Sequence, residues 1–311
     1  MLGTMNRKQL ILVIVAVIVA VLLIVASALL KGTSGEDDRV QVVATFYPLA
    51  YMAESIGGER VTVASLVPYN SELHSWQPTP QDLIKADKAD IILYNGGPAD
   101  AWLVTDVLPS IGSDNKLLVN TTIGVVFIHG GDEDDGGVDP HTWSSPNQAR
   151  IQAQNVFNAL SEADPEGVAY FEQRFTALDQ TLAQLHDQYL LLAESTVSAI
   201  IVSHAAFGYV AHDYGFEQHG VIGLSADEEP SANAIAQLVD LMQDQSIYTV
   251  YVDPVYNQDY VSILNTELES RTGHEVLVLD LFLMLGPYED VDYLGQLSQN
   301  LINLKTGLGV A

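Results

Sequence analysis

The 311-residue chain contains no cysteine. That absence excludes disulfides, thiolate metal sites and lipid attachment through an N-terminal cysteine, and it leaves the redox compartment unreadable from thiols. Cationic side chains are scarce: twelve Lys and Arg stand against forty Asp and Glu, a formal charge of −28. Phosphate backbones are bound by clustered Lys and Arg, and none are clustered here, so nucleic acid is not an expected partner. The same imbalance suits a soluble surface or an attraction for cations. Also missing are an HExxH zinc-protease pair, a nucleophile-elbow serine and a P-loop lysine.

Long apolar runs are confined to one place. Arg7 and Lys8 precede "LILVIVAVIVAVLLIVASALL", Leu10 to Leu30. Twenty-one helical residues span about 31 Å, the thickness of a hydrocarbon core. A signal-peptide apolar region is shorter, about 7 to 15 residues, although Ala26–Ala28 ("ASA") resembles a cleavage site. The expectation is an uncleaved N-terminal membrane segment, with a cleaved signal peptide as the alternative. The basic pair should stay inside, which puts residues 39 onward outside the cytoplasm, on a short tether, "KGTSGEDD".

From Val40 the chain alternates short β-rich runs with helical stretches. Expected strands are 40–46, 61–67, 91–95 and 117–120, then 199–203, 248–252 and 275–279. Several are apolar throughout, as in strands covered on both faces of a parallel sheet. Thr79-Pro80 reads as a helix start, and Gly57 and Gly273 read as helix stops. The rhythm breaks between Pro146 and about Glu194, where Phe171, Phe175, Leu178, Leu182 and Leu185 keep helical spacing. The predicted fold is therefore α/β, with two lobes that each carry a mainly parallel sheet flanked by helices. Its segments are 1–38 (membrane segment and tether), 39–165 (first lobe), 166–194 (a long rigid connecting helix) and 195–311 (second lobe). One sheet with a helical insertion is the alternative.

Open α/β sheets bind ligands beyond the carboxyl ends of their strands. Four ligand-type side chains fall there: His74 in "PYNSELHSWQPTP", His141 in "GGVDPHTWSSPN", His204 in "IIVSHAAFGY" and Asp280 in "VLVLDLF". Singly each reads as structural, since a hydrogen-bonded loop histidine is commoner than a metal ligand. Together, two from each lobe, they point to one crevice. His204 and Asp280 directly follow strands and should be fixed, while His74 and His141, on longer loops, should be mobile. His186, His212, His219 and His274 fall on helices or near turns and are expected to stay away from that crevice.

Those stretches, with "ATFYPLAYMAESIGGERVTVASLVP" and "LHSWQPTPQDLIKADKADIILYNGG", resemble the substrate-binding proteins of ABC importers for zinc and manganese. The resemblance runs from about Val42 to the C-terminus. It implies one divalent ion held by the residues matching His74, His141, His204 and Asp280, a rigid helix between lobes, and delivery to a membrane permease without catalysis. A monomer is expected. Departures from the family pattern are Glu72-Leu73 before His74, Gln77, Asp253 in "YVDP", and an acidic rather than histidine-rich segment at 129–138. Three imidazoles and a carboxylate favour Zn2+, with Mn2+ as the alternative because it prefers more oxygen. A zinc hydrolase and a surface adhesin are the readings from other classes.

Overall fold

The structure is a computed structural model that describes residues 39–112, 116–129, 137–224, 230–256 and 259–311. The expected membrane segment, its tether and most of the acidic 129–138 segment lie outside these residues. Among the described residues, no helix is long and apolar enough to cross a membrane.

Both predicted lobes are present, and their sheets are wound alike. The first contains β1 (Val40–Ala44), β2 (Val61–Ser65), β3 (Ile91–Tyr94) and β4 (Leu117–Asn120), ordered β2-β1-β3-β4 and parallel throughout. The second contains β5 (Ala199–His204), β6 (Glu217–Ile222), β7 (Thr249–Val252) and β8 (Leu277–Asp280), ordered β6-β5-β7-β8, again parallel. Central strand β5 is buried along its whole length. That accounts for its unbroken apolar sequence. Each sheet reverses winding direction beside its first strand, which is where a crevice opens at the carboxyl ends.

Strand β6 is the element the sequence reading lacks. Its residues Glu217, Gln218, His219 and Gly220 carry no apolar periodicity, because an edge strand with one wet face needs little. The helices follow their punctuation more closely. Helix α1 (Tyr47–Gly57) ends on Gly58 at φ +52, one residue past the expected stop. Helix α2 (Pro80–Asp87) starts at Thr79, whose N–H donates to the Asp82 carboxylate.

Between β4 and β5 the chain runs through α3 (Pro146–Ala163) and α4 (Val168–Tyr189). The Asp164 carboxylate accepts the Gly167 N–H at the corner and pairs with Arg60 at 2.7 Å. Helix α4 begins two residues later than expected and passes into a tight turn over Leu190–Glu194. It buries Phe171, Leu178, Leu182 and Leu185 of the expected stripe, with Tyr189 beyond it, while Phe175 stays half-buried and stacks on Phe157. The remaining helices are α5 (Gly208–Tyr214), α6 (Ala232–Gln245), α7 (Asp259–Thr272) and α8 (Tyr293–Leu308).

One apolar core runs through both lobes, from Val42, Ile92 and Trp143 to Ile200, Leu283 and Leu304. Trp143 joins the two halves directly. It is fully buried, packs edge-on against Phe46 at 4.6 Å, and donates Nε1–H to the Leu283 carbonyl at 2.9 Å. The Tyr293 hydroxyl donates to the Trp143 carbonyl at 2.6 Å. Replacing Trp143 with Phe keeps an aromatic ring but strands the buried Leu283 carbonyl, which should cost about 1–3 kcal/mol. Urea denaturation of the metal-free protein should show that loss as a lower midpoint with an unchanged slope.

Candidate metal centre

His74, His141 and His204 meet at the cleft. Each offers one ring nitrogen, and those atoms lie within 4.8 Å of one another. They arrive from three places: the loop after β2, the loop after β4 and the last residue of β5. His141 and His204 are buried, while His74 is half-buried, so solvent reaches the group past His74.

What stands behind each ring decides which nitrogen faces the centre. His141 Nδ1 lies 2.9 Å from Asp139 Oδ1, and the same oxygen accepts the His141 backbone N–H at 2.8 Å. Pro140 stiffens the chain between them. His141 Nε2 is thereby turned inward, 3.3 Å from His74 Nε2. His204 Nε2 lies 2.8 Å from the Leu224 carbonyl, which can only accept, so the proton sits on Nε2. That leaves Nδ1 as the lone-pair nitrogen, and it is buried with no hydrogen-bond partner. An orphaned buried acceptor calls for a donor or a cation.

The spacing fits a tetrahedral ion. Two nitrogens on zinc at about 2.0–2.1 Å, at the tetrahedral angle, stand about 3.3–3.4 Å apart. The His74–His141 separation of 3.3 Å is such an edge. Oxygen acceptors behind the imidazoles of His141 and His204 set their orientation and raise their basicity as ligands.

Burial disfavours charge on the buried imidazoles. It holds His141 well below the ordinary histidine value, with the nearby His204 adding to the shift. Burial likewise lowers His204, against the Leu224 carbonyl, which favours the charged ring. Asp139 moves the other way, pushed up to about 7 by burial and partly restrained by the His141 N–H. The 2.9 Å contact between Asp139 and His141 has ion-pair spacing, but both shifts oppose charge, so it is a neutral-imidazole hydrogen bond.

Asp280 is not in the group, and the sheet geometry explains why. It ends β8, two strands from β5, a separation of about 10 Å. Its register partner is Val252, which continues the row of Ser203 rather than that of His204. Successive residues on a strand face opposite ways, so Asp280 and His204 leave the sheet on opposite faces. Its side chain is exposed. The expected contrast in mobility also changes. His141 is wholly buried and doubly tied to Asp139, so it is not a free loop ligand.

The other histidines are elsewhere. His186 faces the Tyr214 hydroxyl at 3.1 Å, and His274 stacks on Tyr248. His129, His212 and His219 line a separate cavity of about 470 Å³ behind Asp139 and Leu224. Two neighbours of the centre escaped the sequence reading: the Leu224 carbonyl, because a backbone acceptor leaves no residue signature, and Tyr256, whose ring centroid lies 6.2 Å from that of His204.

A cleft between two parallel-sheet lobes, where three imidazoles converge and burial holds two of them neutral, defines a metal-binding protein of the solute-capturing kind. The chain belongs to the family described as zinc-uptake complex component A, periplasmic, whose profile matches residues 42–307. It is 30% identical over 294 residues to the high-affinity zinc uptake system protein ZnuA of Bacillus subtilis strain 168, covering 89% of this chain and 91% of that protein. It is 27% identical over 240 residues to the manganese-binding lipoprotein MntA of Halalkalibacterium halodurans, covering 76% and 78%. The zinc-binding AdcA proteins of streptococci are longer, and the chain spans about half of their length. Among solved structures, the Zn(II)-bound ZnuA-like domain of Streptococcus pneumoniae AdcA superposes with a TM-score of 0.73 at 26% identity, covering 87% of this chain and 99% of that one. The family is one of metal uptake rather than of enzymes, in line with the reading of the sequence.

Asp139 gives this centre a measurable proton linkage. Below its raised value near 7 the carboxyl keeps its proton in the metal-free protein, and a dication on His141 favours the ionised form. The buried imidazoles are held neutral and contribute little. Zinc binding should therefore release protons at mildly acidic pH, from Asp139 and from any charge on His74, and release less as the pH rises. Isothermal titration in buffers of different ionisation enthalpy checks this. Asp139→Asn should reduce the release and weaken zinc binding by about 10- to 100-fold.

Proposed function

We propose that the chain captures a single Zn2+ outside the cytoplasm through His74, His141 and His204, and delivers it to the permease of an ABC importer. The observation that carries the reading is the convergence of three imidazoles, each with a ring nitrogen within 4.8 Å of the others, two of them 3.3 Å apart. Membership of a zinc-uptake family supports the delivery role. A nitrogen-rich donor set favours zinc over manganese, which prefers more oxygen ligands. Asp280 does not join the set in this reading, which leaves a fourth tetrahedral position for water or an incoming donor.

Isothermal titration of the purified chain should give one dominant zinc site. Replacement of His74, His141 or His204 by Ala should weaken it by at least tenfold each, while Asp280→Ala and His186→Ala leave it unchanged. Loss of affinity in Asp280→Ala would return the aspartate to the site. Several equal weak sites in the parent chain would remove the capture role.

The apolar run Leu10–Leu30 supports a tether to the outer face of the membrane by an N-terminal helix, with the protein working as a monomer. Cell fractionation should find the chain with membranes, and a chain lacking residues 1–38 should appear in the soluble fraction.

A further inference from the structure

His74 is the ligand least enclosed by its own lobe, yet its loop is tied to the other one. Asn70 N–H donates to the Leu285 carbonyl and Asn70 Nδ2 to the Pro287 carbonyl, each at 2.9 Å. Asn70 takes φ +57 to do so, and a Cβ on Gly286 would overlap it. Two residues on, Glu72 uses both carboxylate oxygens. Oε1 accepts the backbone N–H groups of Leu73 at 2.9 Å and His74 at 2.8 Å. Oε2 accepts the hydroxyl of Tyr256 at 3.0 Å, from the loop after β7 of the second lobe. The two residues are 184 apart in sequence. On the first-lobe side, Trp102 Nε1 donates to the Leu73 carbonyl at 3.2 Å.

We infer that Glu72 and Tyr256 form a latch across the cleft that positions His74 and slows escape of the ion. The inference rests on the three-histidine reading of the centre. One carboxylate fixes the backbone that carries His74 and, through its other oxygen, refers that backbone to the second lobe, where His204 stands. The backbone that carries His74 stays referred to the second lobe while the Tyr256–Glu72 bond and the two N–H bonds to Glu72 persist. Both residues act through His74 and neither coordinates the ion. Their effect belongs to the dissociation rate, because an open loop still meets zinc from solution at the same rate.

The test is chelator-driven release of zinc from the loaded full-length chain, followed by stopped flow. Tyr256→Phe removes only the hydroxyl. It should speed release about tenfold, the ratio that corresponds to about 1.4 kcal/mol, and leave association within about twofold. The absorption spectrum of the Co2+-loaded variant should match the parent, because the ligand set is intact. Combining Tyr256→Phe with Glu72→Ala should add nothing to Glu72→Ala alone. An unchanged release rate in Tyr256→Phe, a changed Co2+ spectrum, or additive effects in the double variant would each overturn the latch. If Tyr256→Phe also melts at a lower temperature without metal, the double-variant comparison still decides. A parent chain whose zinc binding survives His141→Ala would instead overturn the three-histidine reading, independently of the latch.

Discussion

The centre depends on three imidazoles brought together at the cleft, two of them buried and held in one orientation by oxygen acceptors behind them. A ring nitrogen taken out of water loses its hydrogen bonds, and a buried charged imidazole is costlier still. His141 and His204 meet both conditions, so they are kept neutral and kept in one tautomer by Asp139 and the Leu224 carbonyl. The His141 Nε2 is thereby left facing His74, and the His204 Nδ1 is left without a protein partner. A dication would replace the 3.3 Å contact between His74 and His141 and could satisfy the orphaned nitrogen of His204. The metal-free site is the unfavourable state, which makes affinity a property of the apo fold as much as of the bonds formed.

Such a site works only if the scaffold does not relax to hydrate it. The shared core provides that resistance, since Trp143, two residues from His141, is fixed by partners in both halves. Tyr209 from α5 adds to it by donating to the Asp139 carbonyl at 3.0 Å, behind the residue that orients His141. Lobes that share a core cannot swing apart without exposing it, so changes at the centre have to be made by loops. The surface charge of −28 draws cations towards the protein but acts over only about 8 Å at physiological salt. It raises encounter and leaves selectivity to the nitrogens.

Much of this was legible in the sequence for identifiable reasons. Buried parallel strands such as Ile200–Ser203 advertise themselves by continuous apolar residues, and the rule about carboxyl ends then finds His74, His141 and His204. The same rule adds Asp280, which in the structure lies apart from the three histidines, because it names strand ends but says nothing about strand order. Only the observed order β6-β5-β7-β8 shows that β8 lies two strands from β5, with its last residue on the other face. Strand β6 stayed hidden because its exposed edge removes the pattern a reader looks for. The bond between Glu72 and Tyr256 could not be read at all, since it joins an ordinary loop glutamate to an ordinary loop tyrosine from the far half of the chain.

In the proposed three-histidine reading, the donor set also shapes how the ion can leave. A tetrahedral ion on three imidazoles keeps one position for an exchangeable group, and the approach to it runs past half-buried His74. A donor presented by a receiving protein can take that position before any imidazole lets go. Transfer then exchanges one bond for another and avoids the bare ion, whose desolvation would be the largest cost on the path. Once the incoming donor holds the metal, His74 is the ligand whose departure disturbs least, because His141 and His204 are locked by buried partners. In that reading burial orders the release: half-buried His74 first and the two enclosed imidazoles after it.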